Sequence, residues 1–132
     1  MYLIINTTDD KKIRVILAKS QDSFKIKSVK GERRQSEKLL IAIEKIIAQN
    51  KTSLSKIKGI GVVTGPGGFT SVRIGVVVAN SLAFALGKEV FGLKLSEFKD
   101  EKEMVLKIIN SFKNNKAKKI VLPFYDREPN IG

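Results

Sequence analysis

Hydrophobic positions along this chain change their period repeatedly, and each change predicts an element. Tyr2 to Asn6, Ile13 to Ala18 and Ser23 to Val29 are short apolar or alternating runs separated by the polar turns Thr7 to Lys12 and Lys19 to Asp22, which predicts three strands. Phe24, Ile26 and Ser28 alternate with Lys25, Lys27 and Val29, so the third strand keeps one side toward solvent. Connections this short cannot make parallel crossovers, and the three strands are expected as an antiparallel meander.

The period then becomes helical. Ser36 is the expected N-cap of a helix from Glu37 to about Ala48, with Asn50 near its end. Leu39, Leu40, Ala42, Ile43, Ile46 and Ile47 spread over about 160° of its circumference, more than the ~100° that covering one sheet face requires, so the helix is expected to pack on two sides. Ile41 falls among Glu37, Lys38, Glu44 and Lys45. Ile60 to Thr64 is apolar without alternation, as in a strand buried on both faces. After the Gly65-Pro66-Gly67-Gly68 turn, Ser71 to Leu86 reads as a helix closed by Gly87 and Glu89 to Leu93 as a strand, a unit that requires a parallel pair. Asp100 is placed to cap a helix through Met104, Val105, Ile108, Ile109 and Phe112, with Glu103 completing a capping-box variant. Ile120 to Phe124 is expected as a last strand, Tyr125 to Gly132 as a tail, and Lys113 to Lys119 as a solvated loop. These elements give an α/β fold of ribonuclease-H-like type, a five-stranded mixed sheet with helices packed on it. Residues 1–96 form the expected lobe and 97–132 a short C-terminal remnant packed on the same domain.

Charge sharpens one region. The chain carries 25 Lys+Arg against 13 Asp+Glu, yet Arg73 is the sole charged residue between Lys58 and Lys88. Such a stretch is not ordinary surface, and either a ligand or a partner protein is expected to meet it. Ser71, Gly75, Ala79, Ala83 and Gly87 recur every four residues and leave a stripe almost bare of side chains, against which another helix or a sheet can approach closely. Val72, Val76, Val77, Val78, Leu82, Phe84 and Leu86 occupy the remaining faces. The helix is therefore either the core of one domain or presents one face to a partner. The glycine turn also has two readings. It could cradle a phosphate at the positive end of a helix, although no Gly-Lys-Ser/Thr follows. Otherwise it is a tight turn whose glycines take positive φ, with Phe69 as an apolar anchor and Thr70 or Ser71 as N-cap.

Composition removes whole classes of chemistry. With neither cysteine nor histidine, the chain cannot build Ser-His-Asp or Cys-His catalysis, disulfides or imidazole-ligated zinc from its own residues. Asp9 and Asp10 could ligate magnesium or merely form a turn. Lys11, Lys12, Arg14, Lys25, Lys27, Lys30, Arg33 and Arg34 could hold RNA by phosphate contacts, with few aromatics among them for base stacking. The length suits one domain. No N-terminal signal is visible, a cytoplasmic location is expected, and the interrupted apolar stretches fall short of the ~20 residues of a membrane helix.

GPGGFTSVRIG, Gly65 to Gly75, followed by Ala79, Leu82 and Ala83, resembles the GPGSFTGLRIG signature of the TsaB (YeaZ) family. RRQSEKLL, Arg33 to Leu40, is similar to that family's RxHSExLLP segment, and the opening LIIN to its LALDTS. The resemblance covers about residues 1–96. It implies a small member of the acetate and sugar kinase, Hsp70 and actin superfamily that acts as the non-catalytic partner of TsaD in making N6-threonylcarbamoyladenosine in ANN-decoding tRNAs. A TsaD-like catalytic subunit would hold the metal, a TsaE-like ATPase would join the assembly, and the chain alone would form a homodimer. The implied partner interface takes Ser36, Glu37, Leu40, Ile41 and Glu44 from the first helix. From the second it takes Ser71, Val72, Arg73, Gly75, Val76, Ala79 and Ala83, with Gly75 and Ala79 at its centre. Gly65, Pro66, Gly67, Gly68, Phe69 and Thr70 become a nucleotide or interface contact. No cofactor is expected within the chain and ATP or ADP only at the complex interface; tRNA is reached indirectly or through basic surface, and no membrane is involved. Asn6 stands where the family has an aspartate, which argues against ATP turnover, and Gln35 where it has a histidine. The family's second lobe is shortened here, Tyr125 to Pro129 being similar to its closing Tyr-Leu-Arg-Glu segment.

Overall fold

β1 (Tyr2–Asn6), β2 (Lys12–Ser20) and β3 (Ser23–Lys30) form the expected antiparallel meander in the computed structural model, which describes residues 1–125. The chain continues through α1 (Gln35–Gln49), β4 (Gly59–Gly65), α2 (Phe69–Leu86), β5 (Val90–Lys94) and α3 (Glu101–Lys113). β4 enters the sheet beside β1 and β5 beside β4, both parallel, so the strand order is β3-β2-β1-β4-β5. Every residue of β4 is buried, as its unbroken apolar run requires.

The two faces of the sheet have separate cores. Leu3, Ile5, Val15, Leu17, Ile60 and Val62 point to α1 and α2, whereas Ile4, Ile16, Ala18, Val63 and Leu93 point to α3. Alternation along each strand produces this division. The Ile108 side chain of α3 packs directly on the β4 backbone because Gly61 has no side chain: a Cβ there would lie 2.8 Å from Ile108. Asp100 caps α3 as expected by accepting from the Glu103 N–H at 2.9 Å, while the Glu103 carboxylate reaches one residue past the cap and accepts from the Lys99 N–H at 2.9 Å.

Three expectations are corrected. Ser36 does not cap α1; Arg34 does, in the left-handed region at φ 53° and without a side-chain bond. The helix starts one residue before Ser36 because the Gln35 amide is held by the Ser71 hydroxyl at 3.0 Å and the Asp10 carbonyl at 3.2 Å. Neither Thr70 nor Ser71 caps α2, which begins at Phe69 after Gly68. Finally, Ile120 to Phe124 is not a strand. The chain makes one antiparallel bridge, Val90 with Lys118, and then leaves the ladder.

Asn80 explains that departure. Its amide donates to the Val121 carbonyl at 2.9 Å and accepts from the Val121 N–H at 3.0 Å, which ties the segment to α2 instead of to the β5 ladder. The segment is then tied down where the Phe124 N–H meets the Thr64 carbonyl at 2.8 Å. Asn80→Ala strips Val121 of both partners and is expected to cost about 1–3 kcal/mol, read from the urea midpoint. An unchanged midpoint would show that water replaces the amide without loss. Asp126 to Gly132, the rest of the expected tail, lie outside the described residues.

Candidate partner-docking face

α1 and α2 lie side by side on one face of the sheet, and each divides sharply into an inner and an outer arc. On α1 the buried residues are Leu39, Ala42, Ile43, Ile46 and Ile47. Glu37, Leu40, Ile41 and Glu44 are exposed and share the opposite face, spanning about 100° at 3.6 residues per turn. Leu40, one of the apolar residues of a helix expected to pack on two sides, stands with Ile41 on the outside. Both are about half exposed.

On α2 the buried residues are Ser71, Val72, Gly75, Val76, Ala79 and Ala83. These six include the whole small-residue stripe as far as Ala83, and they face the chain's own sheet and loops. The sequence assigned them to a partner interface; the structure places them inside. A Cβ on Gly75 would collide with the Thr7 hydroxyl, which donates to the Ser71 carbonyl at 2.6 Å. The close approach that small residues allow is thus used by the loop after β1. Of the α2 residues from Ser71 to Ala83 assigned to an interface, Arg73 alone is outside.

The outer arc of α2 carries side chains whose position the stripe concealed. Val77 is 57% and Phe84 88% exposed, while Ile74 and Val78 are half-buried beside α1. Ser36, Thr70, Arg73, Ile74, Val77 and Val78 line a shallow groove of about 320 Å³ along this arc. Leu40, Ile41, Val77 and Phe84 make an apolar surface that the described residues leave uncovered, flanked by Glu37, Glu44 and Arg73. Exposed apolar side chains collected on one face, with charges at the margin, have the anatomy of a protein contact. By length and composition α2 is also apolar enough to cross a membrane, contrary to the expectation from its interruptions, although a third of it is buried in this fold.

The glycine turn is built for close packing. Gly65 has φ 129°, and a Cβ there would strike the Phe124 carbonyl; one on Gly67 would strike the Thr8 carbonyl. At these two points the main chain of the neighbouring segments occupies the space that a side chain would take. Gly65 alone in the turn takes positive φ, whereas Gly68 has φ −56°. Phe69 is not a buried anchor: it is 41% exposed, stacks on Tyr125 with centroids 4.9 Å apart, and has the Arg73 guanidinium 5.5 Å above its ring. In the loop after β1, the Asn6 carbonyl oxygen of the side chain accepts from the Thr8 N–H at 3.1 Å and the Thr8 hydroxyl at 2.7 Å. Asp9 accepts from the Lys11 N–H at 2.9 Å. Both side chains shape the turn.

The basic residues read as an RNA surface divide between faces. Lys25 and Lys27 stand opposite Leu17 and Val15 on the α1 side, while Lys12, Arg14 and Lys30 belong to the other side of the sheet.

Comparison with known proteins bears on this geometry. Residues 25–97 match the family model described as TsaD: tRNA N6-adenosine threonylcarbamoyltransferase. The chain is 24% identical over 104 residues to the tRNA threonylcarbamoyladenosine biosynthesis protein TsaB of Buchnera aphidicola, covering 79% of this chain and 43% of that protein. Among solved structures, YeaZ from Pseudomonas aeruginosa superposes with a TM-score of 0.64 at 26% identity, over 70% of this chain and 43% of YeaZ. RuvC of Thermus thermophilus, in complex with a Holliday junction substrate, superposes with a TM-score of 0.53 at 9% identity over 89% of this chain and 97% of RuvC, a likeness of fold alone. The chain spans less than half the length of the TsaB and YeaZ proteins it matches.

Proposed function

The chain belongs to the TsaB/YeaZ branch of the threonylcarbamoyltransferase family, and from that premise we propose that it is a non-catalytic scaffold subunit in the synthesis of N6-threonylcarbamoyladenosine on tRNA. Its partner is a TsaD-like catalytic subunit, which docks on the outer arcs of α1 and α2. The carrying observation is the exposed set Leu40, Ile41, Val77 and Phe84 on two adjacent helices. Burying such side chains contributes roughly 25 cal/mol per Å² of apolar area removed from water. A second copy of the chain covers the same surface when the catalytic subunit is absent.

A scaffold role agrees with the chemistry at hand. Asn6 cannot supply the carboxylate of the superfamily's kinases, and its amide is committed to Thr8. Catalysis and metal binding therefore fall to the partner, a TsaE-like ATPase joins the pair, ATP or ADP binds only at the complex interface, and tRNA is reached through the partner or the basic surface.

Val77→Asp tests the surface. Val77 is exposed, so the variant should keep its thermal midpoint to within the equivalent of about 0.5 kcal/mol. Light scattering on a sizing column should show wild-type homodimer converting to a one-to-one complex with the TsaD-like protein of the same organism, and the variant remaining a monomer in both conditions. A variant that still pairs would remove this face from consideration.

A further inference from the structure

β5 is an edge strand, and its outer side is only partly sealed. The Ile60 N–H donates to the Glu89 carbonyl, and Gly92 lies opposite Val62, so by alternation the backbone groups of Val90, Gly92 and Lys94 face outward. Val90 exchanges both bonds with Lys118 at 2.7 and 2.8 Å. The Lys94 N–H is met by the Glu97 carboxylate at 2.9 Å. Among the described residues nothing pairs the outward N–H and C=O of Gly92. Beside them lies a cavity of about 430 Å³ between β5 and the segment that Asn80 holds away.

The lining has a definite character. Phe124 contributes apolar surface, and Ile120 and Leu122, 63% and 76% exposed, also line it. Lys94, Lys116 and Lys118 border it. The one salt bridge among the described residues joins Lys102 to Asp22, so none of these three lysines meets a carboxylate there. Glu97 is the sole acidic residue on the lining, and its oxygen is engaged by the Lys94 backbone.

We propose that this edge receives an extended, acidic peptide segment of a partner protein, which pairs with Gly92 as an added strand, sets apolar side chains against Ile120 and Leu122, and brings carboxylates to Lys94, Lys116 and Lys118. Edge pairing provides affinity through the main chain and alternate side chains provide selectivity. An unpaired edge rimmed by lysine is also how proteins resist self-association, and the same lysines admit an acidic strand while repelling a basic one. Nucleic acid fits the site less well, because the cavity offers no stacking platform: the Phe124 ring already lies under the Lys94 ammonium at 4.3 Å.

The test uses the whole chain, labelled with nitrogen-15, and a capped peptide of about six residues alternating valine and glutamate, a length suited to strand addition. Saturable shifts of the Phe91 to Lys94 amides are expected, with binding at least about tenfold weaker in the double variant Lys94→Glu, Lys116→Glu, both exposed positions. The variant's circular dichroism should match wild type; if it does not, Lys118→Glu alone is read for the same loss. A peptide alternating valine and lysine that binds equally, shifts confined to α1 and α2, no shift at all, or displacement of the peptide by oligouridylate would each overturn the proposal.

Discussion

Ala79→Arg is expected to abolish folding, not association. Ala79 is wholly buried in the core that α1 and α2 share with the sheet, on the inner arc of α2 together with Val72, Val76 and Ala83. An arginine there meets two costs at once. Its volume exceeds that of alanine by several methylene groups in a close-packed site, and its charge has no partner. An uncompensated buried charge alone costs several kcal/mol, a large part of the roughly 5–15 kcal/mol by which a domain is stable. Far-UV circular dichroism and a thermal melt check this: the expected chain is insoluble or melts without cooperativity. A soluble Ala79→Arg variant with a wild-type melt that merely fails to pair would put Ala79 on the docking surface and invert the assignment of the two arcs.

Gly65→Ala is expected to cost about 3 kcal/mol or more. At φ 129° the backbone is in a region that side chains rarely enter, and the added methyl would run into the Phe124 carbonyl. Strain of about 1–3 kcal/mol and a comparable packing cost coincide at one residue. The damage should spread, since relieving the clash moves Phe124 off Thr64 and takes Tyr125 from Phe69. Denaturant melts give the magnitude, and nuclear Overhauser contacts between the Tyr125 and Phe69 rings give the displacement. Gly87→Ala is the control, because Gly87 also has positive φ, 65°, but an added Cβ meets nothing within 4 Å; about 1–2 kcal/mol is expected there. Equal costs for the two would mean that the C-terminal segment yields freely.

Much of the fold was legible in the sequence because the signals were local. Polar turns too short for a crossover gave the meander, the unbroken apolar run gave β4, and Gly87 gave the end of α2. The C-terminal segment does not follow its local pattern because its place depends on Asn80, far away in sequence, whose amide ties Val121 to α2. Ile120 to Phe124 has strand composition in either case. The proposed docking face was half legible. Ile41 was marked as an apolar residue among charges, and it is on the surface. The stripe from Ser71 to Ala83 signalled close packing correctly, but a period of four cannot say what packs there. Thr7 and the sheet occupy that side, and the outward residues are Val77 and Phe84, which the stripe did not single out.

α2 is also fixed against rolling about its axis. Gly75 rests on Thr7 on one side, and Asn80 grips Val121 on another, about 140° round the helix. Any turn that relieved one of these pins would break the other. A partner docking on the outer arc, as proposed, would meet it already oriented, and its association need not include the cost of choosing a helix rotation.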